Sequence, residues 1–286
     1  MFSHNALQSV NMKLLLTVVC LAVAVSAYEP INIDYHNTVG VYEAARIKQA
    51  EESTDFDGSR IVGGNFAILG QLPYQAGLLI RLQDGRQSVC GASLISNSRL
   101  VTAAHCWTSF GVDAREVLVV LGSITLYSGG TRILTNNVRP HERFNPFTLQ
   151  NDIAIIYINP VSYSNNIRNI EIASGNDQYV GSWATAAGFG RYTDTSGVSS
   201  TLRYVSLQVI SNQECRRTYG SYILSSFLCV ATPRGRGTCG GDSGGPLILN
   251  NTLIGVTCFR HVAGCTGRPA GFMRVTSFHD WIVSNM

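Results

Sequence analysis

The sequence predicts an all-β fold, and three observations carry that expectation. Glycine is abundant, at 28 of 286 residues, while charged residues make up only 14%, a balance that suits short strands joined by tight turns. Runs rich in apolar and β-branched residues recur between turn residues, at Gln75 to Leu82, Ser88 to Ile95, Val117 to Gly122, Asp152 to Ile158 and Leu202 to Ile210. Several alternate, as in Tyr204-Val205-Ser206-Leu207-Gln208-Val209, the pattern of a half-buried strand. Helix signals are few. Ser211-Asn212 can cap a short helix through Tyr219, and Thr276-Ser277 can cap a terminal one through Asn285. Asn250-Asn251 reads as a hairpin turn and, with Thr252, forms the N-glycosylation sequon.

With 45% hydrophobic residues the chain can bury a large core or two. A net charge of +3, with the basic residues scattered, argues against nucleic acid or an anionic membrane surface as a partner. Residues 1–27 read as a signal peptide: Lys13 precedes an apolar run from Leu14 to Val25, followed by Ser26-Ala27. A membrane anchor is the alternative, but the run falls short of the roughly 20 residues needed to span a bilayer. Met12 is a second candidate start. Secretion is expected, into an oxidising compartment that permits disulfides.

Residues 28–60 are polar, contain no cysteine and carry Glu51, Glu52, Asp55 and Asp57 ahead of Ser59-Arg60. They read as a propeptide ending at Arg60, with a disordered tail of no regulatory role as the alternative. The remaining residues, 61–286, form the expected functional domain.

Chemistry concentrates at Gly237-Thr238-Cys239-Gly240-Gly241-Asp242-Ser243-Gly244-Gly245-Pro246. Glycines let such a turn aim Ser243 Oγ outward and converge the N–H groups of Gly241 and Ser243 on one spot. That is a nucleophile beside an anion hole, as acyl transfer requires. The plainer alternative is a hairpin loop with Ser243 facing water. Among six histidines, only His105, in Leu100-Val101-Thr102-Ala103-Ala104-His105-Cys106, has an apolar, small-residue setting beside a cysteine. It is the candidate base, or else a packed core histidine. Asp152 opens the apolar run Asp152-Ile153-Ala154-Ile155-Ile156. Burying that carboxylate demands a partner, which an imidazole N–H would supply; the alternative is a strand-edge cap.

At TAAHC (102–106), DIAI (152–155), GDSGGP (241–246) and Ile61-Val62-Gly63-Gly64, taken together and in this order, the chain resembles the chymotrypsin/trypsin family of serine endopeptidases over roughly residues 60–286. The resemblance implies two antiparallel six-stranded β-barrels with a short C-terminal helix and the active site between the barrels. It implies a catalytic triad of His105, Asp152 and Ser243 and an oxyanion hole from the Gly241 and Ser243 amides. It also implies a zymogen: cleavage at Arg60-Ile61 by a protease preferring arginine frees an Ile61 amino group to pair with Asp242. Because His105 must be neutral to act as base, activity is expected to rise through about pH 6.5–7 and to fall when the Ile61 ammonium deprotonates.

By the same resemblance Cys90 pairs with Cys106, Cys215 with Cys229 and Cys239 with Cys265. The first bridge closes a loop of about 15 residues, worth roughly 3 kcal/mol by chain entropy, and braces His105. Cys20 leaves with the signal peptide, and Cys258 remains over. It stands where the family usually has a serine bonding the triad aspartate, and a thiol is the weaker donor. Gly237 falls at the base of the S1 pocket, where trypsin-like enzymes carry an aspartate. Ala270 and Arg260 form its wall, and Cys258-Phe259-Arg260 pairs with the substrate main chain. The implied P1 preference is apolar, as in chymotrypsin-, elastase- or collagenase-like enzymes.

The expected partners are polypeptide substrates, the activating protease and protein protease inhibitors, for a secreted monomer. No cofactor or metal is expected: residues 121–131 lack calcium-loop carboxylates, and zinc spacings are missing. The rival readings are a catalytically impaired homologue acting as a binding or cofactor protein, and a regulatory cascade protease.

Overall fold

Two β-sheets carry the body of the protein in the computed structural model, which describes residues 31–53, 65–191, 200–233 and 235–286. The signal peptide expected over 1–27, the cleavage point expected at Arg60-Ile61 and the run Ile61-Val62-Gly63-Gly64 lie outside the described residues. The strands of the first half are β1 (Asn65–Phe66), β2 (Gln75–Leu82), β3 (Gln87–Ser96), β4 (Arg99–Thr102), β5 (Ala114–Leu121), β6 (Thr131–Thr135), β7 (Val138–Pro140) and β8 (Ala154–Tyr157). Those of the second are β9 (Glu171–Ile172), β10 (Trp183–Gly188), β11 (Arg203–Ile210), β12 (Phe227–Val230), β13 (Pro246–Leu249), β14 (Thr252–Phe259) and β15 (Ala270–Arg274).

Strands β11-β10-β13-β14-β15-β12 form an antiparallel path that closes on itself through β11 and β12, giving a six-stranded barrel. β1 extends β11, and β9 runs parallel to β14. The N-terminal sheet follows β6-β5-β2-β3-β4-β8-β7. It has seven strands rather than the expected six because the chain turns at Asn136-Asn137, splitting one run into β6 and β7. Asn250 and Asn251 form the predicted turn between β13 and β14, with φ of 49° and 59°, the left-handed pair that a two-residue hairpin needs.

Alternation in the N-terminal sheet sorts its apolar residues into two clusters. Leu78, Ile80, Cys90, Ala92, Leu94, Val117 and Val119 fill the interior. Leu79, Val89 and Val120 point the other way, yet they too are buried, in a second cluster with Ala44 and Ile47. Those two residues belong to α1 (Val41–Glu52), which is entered through a wider turn at His36–Gly40. Its Ala, Glu, Arg, Lys and Gln content favours helix. Its buried residues Glu43, Ala44 and Ile47 share one face, while Lys48 and Glu52 pair across one exposed turn at 3.8 Å. Part of the segment read as a polar propeptide is therefore a helix docked on the body.

α2 (Asn212–Tyr219) begins where predicted: Ser211 Oγ accepts from the Glu214 amide at 3.1 Å. α3 (Val275–Val283) differs from the prediction. Its N-cap is Arg274, not Thr276-Ser277, because β15 runs straight into the helix. The guanidinium of Arg274 is held by the Ser225 and Phe227 carbonyls. The three expected disulfides are formed, and among the described residues Cys258 is the free cysteine, buried. No described helix is long and apolar enough to cross a membrane.

Replacing Ser211 by Ala removes the cap of α2 and is expected to cost about 1 kcal/mol, read as a lower urea midpoint with unchanged slope.

Candidate active site

Strand register brings the first two candidates together. Thr102, the last residue of β4, lies opposite Ala154, the first of β8. His105 sits in the turn just after β4 and Asp152 just before β8, so both hang from the same end of the pair. Asp152 is fully buried, and both its oxygens are used: Oδ1 accepts the His105 amide at 2.8 Å, and Oδ2 lies 2.6 Å from His105 Nδ1. The Cys258 thiol is beside the same carboxylate, and burial together with that charge pushes its pKa up. It stays a neutral thiol. Cys90, His105 and Cys106 cluster, but their two sulfurs form a disulfide and offer no thiolate to a metal.

The serine loop is tied to both barrels. Gly91 donates to the Ser243 carbonyl at 2.7 Å, and Gly244 donates to that of Thr257 at 2.8 Å. Gly241 has φ of 97°, and a Cβ there would come within 2.9 Å of Gly190 Cα, so the loop needs glycine at this point. Asp242 points inward and accepts the Gly190 amide at 2.9 Å and the Cys239 amide at 2.8 Å. Burial, joined by the nearby charge of Glu43, raises its pKa to about 6 despite those two bonds.

The N-terminal segment supplies residues that the sequence reading did not place here. Tyr35 donates its hydroxyl to the Val89 carbonyl at 2.6 Å. The Ser243 side chain and the Gly241 backbone lie close enough to the same phenol to act on it, though burial dominates and raises its pKa. Its ring packs edge-on against that of His105, with centroids 4.8 Å apart. His105 Nε2 is buried without a hydrogen-bond partner among the described residues. The Ser243–His105 bond that the triad implies is therefore not made in this arrangement; Tyr35 engages both residues instead. Glu43, also fully buried, forms an ion pair with Arg191 at 2.6 Å and lies against Gly240. Burial raises its pKa, opposed by Arg191. His36 approaches Ser88 Oγ at 2.8 Å through Nδ1, and its pKa is lowered to about 3, chiefly by burial and then by the charges of His105 and Arg86.

A cavity of about 90 Å³ is lined by Ser243, Cys258, Phe259 and Arg260 from the body and by Tyr35 and Val39 from the segment. Thr238 and Gly240 line it as well, which the sequence reading missed. Two expected pocket residues do not reach it. Gly237 packs on the Cys265 carbonyl, which a Cβ would approach to 2.1 Å, and Ala270 is buried within β15 opposite Val230. Arg260 lines the cavity, and its charge opposes the raised pKa values of Glu43 and Asp242.

The sequence profile of the Trypsin family matches residues 61–282. The chain belongs to the trypsin family. It is a serine endopeptidase, acting on polypeptides. It is 44% identical to a collagenase of Hypoderma lineatum over 234 residues, covering 79% of this chain and 87% of the relative. To brachyurin of Leptuca pugilator it is 38% identical over 228 residues, covering 78% and 96%. The solved structure of HL collagenase superposes with a TM-score of 0.73 at 44% identity, covering 79% of this chain and 98% of that one.

Within this family site, the Cys258 thiol is a weak donor to a carboxylate already held twice by His105. Cys258→Ser is expected to leave folding intact and kcat no lower, checked by thermal unfolding and steady-state kinetics; a large fall in kcat would give the thiol a role of its own. A second expectation concerns His36, held neutral when folded. A lowered pKa means that its contribution is complete above about pH 6.5 and is lost as the pH falls toward 3. Between pH 6.5 and 5 the full chain is expected to lose about 2 kcal/mol that His36→Gln does not lose. Glu43 and Asp242, with raised pKa values, act in the opposite direction but equally in both proteins. The difference between the two pH–stability curves isolates His36.

Proposed function

We propose that this endopeptidase is secreted as a zymogen and activated by an arginine-preferring protease cutting Arg60-Ile61, with Ser243, His105 and Asp152 as its catalytic triad. The observation that carries the reading is the buried His105–Asp152 pair, which shares a centre with Ser243 on the facing loop. Ser243 Oγ attacks the scissile carbonyl while His105 Nε2 takes its proton, and Asp152 holds the imidazole with Nδ1–H turned toward it. The Gly241 and Ser243 amides receive the negative oxygen. His105 then returns the proton to the leaving amine, and water repeats the sequence on the acyl-enzyme. Uncleaved, Asp242 is a buried carboxylate with two amide donors and no cationic partner of its own among the described residues. A new Ile61 ammonium would favour its charged form and fix the loop that carries Gly241.

Specificity is proposed to follow from Arg260, which lines the cavity, and from Gly237 once cleavage rearranges the loop so that position 237 faces substrate. No carboxylate stands at position 237 to meet a basic P1 side chain, and Arg260 adds a like charge near the cavity. Apolar P1 residues are therefore the proposed preference. The edge at Cys258 to Arg260 is proposed to pair with extended substrate, supported by the antiparallel bridge that the adjoining His261 already forms with Ile31. The Hypoderma lineatum relative is called a collagenase, so collagen belongs among the substrates to test. Protein protease inhibitors are the proposed antagonists, and a monomer the proposed active form.

The test is to cut the chain after Arg60 and profile it on a mixed peptide library. Cleavage after apolar residues and none after Lys or Arg is expected, with Ser243→Ala lowering kcat about a millionfold. A folded, cleaved protein inert on every peptide would favour the impaired homologue acting as a binding protein.

A further inference from the structure

Residues 31–52 lie along the protease centre in the direction of a substrate. Ile31 pairs antiparallel with His261, next to the edge proposed to bind extended chains. Tyr35 then reaches Ser243 and His105, and α1 continues past Gly240 and Gly241 to the outer face of the N-terminal sheet. What the segment presents at the centre is a side chain, that of Tyr35. The backbone there coils, with the Thr38 amide returning to the Asp34 carbonyl at 3.2 Å, and the Tyr35 ring lies edge-on against that of His105 and lines one cavity with Ser243. An occupant of that position without a scissile bond blocks attack and cannot itself be cut.

Independent anchors hold it there. Glu43 pairs with Arg191 against Gly240, and a Cβ on Gly240 would come within 3.1 Å of its Oε1, so the two surfaces fit closely. Ile47 is fully buried in the apolar cluster with Leu79, Val89 and Val120. At the far end Glu51 accepts the Leu126 amide at 2.6 Å and the Tyr127 amide at 3.0 Å, and the Tyr127 hydroxyl donates to the Ala44 carbonyl at 2.8 Å. The segment between residues 28 and 60 contains no cysteine, so once the chain is cut no disulfide retains it.

We infer that residues 31–53 are an inhibitor of this protein's own active site, filling the cleft before cleavage and binding it competitively as a free peptide afterwards. This rests on the endopeptidase reading above. Tethered, the segment gains a high effective concentration; freed, it must pay the ordering cost of a short helix and can be diluted away.

The test cuts the full chain after Arg60, removes the released segment by gel filtration, and adds back a synthetic peptide of residues 31–53. The peptide is expected to raise KM in proportion to its concentration and leave kcat unchanged. Peptides with Tyr35→Phe or Glu43→Gln are expected to inhibit about tenfold more weakly. Direct binding of a fluorescein-labelled peptide is followed in parallel, and blocking Ser243 with a fluorophosphonate is expected to abolish it. A KM unmoved by millimolar peptide, or variants as potent as the parent, overturns the inference. A separated protein that binds the peptide but hydrolyses nothing overturns the endopeptidase reading, and only the docking of the segment survives.

Discussion

A carboxylate with no solvent contact sets the geometry of this molecule. Taking Asp152 out of water costs several kcal/mol unless its oxygens are satisfied, and His105 satisfies both, one through its amide and one through its ring. That double engagement works only if β4 and β8 pair with Thr102 opposite Ala154, since a one-residue slip would turn the flanking side chains to the other face. The Cys90–Cys106 bridge and the bond from Thr102 Oγ1 to the Gly91 carbonyl at 2.7 Å hold the same turn from behind.

The second barrel answers with a matching device that is less settled. Asp242 is buried as deeply as the loop allows, with two amide donors and a pKa near 6, and a second carboxylate, Glu43, stands nearby. Burial raises both pKa values and the Glu43 charge raises that of Asp242 further, while Arg191, Arg46 and Arg260 oppose the rise at Glu43. Seating an ammonium at Asp242 would relieve the arrangement. The uncleaved chain thus combines an underpartnered acid behind the serine with an N-terminal segment lying over it.

Much of this was legible in the chain. Three motifs located His105, Asp152, Ser243 and Gly241, and turn chemistry located Ser211 and Asn250-Asn251. Each of those signals is local: a cap, a left-handed pair, a residue beside its motif. The role of residues 31–53 was not legible, because Glu43 and Glu51 on the docked face make the segment look polar throughout. Their partners, Arg191 and the amides of Leu126 and Tyr127, lie far off in sequence. The pocket was misread for a related reason. Assigning Gly237 and Ala270 to its wall presumes the arrangement of an activated relative, whereas here Gly237 packs against the Cys265 carbonyl and Thr238 and Gly240 face the cavity.

The proposed switch restrains Ser243 in the intact chain and releases it as a nucleophile when Arg60-Ile61 is cut. The most direct measurement is the rate at which a fluorophosphonate modifies Ser243, read by peptide mass spectrometry before and after that cut. Fast, stoichiometric modification of Ser243 in the cleaved protein and slow modification in the intact one is the predicted result. Equal rates in the two forms, or a folded cleaved protein in which Ser243 stays unmodified, would contradict it.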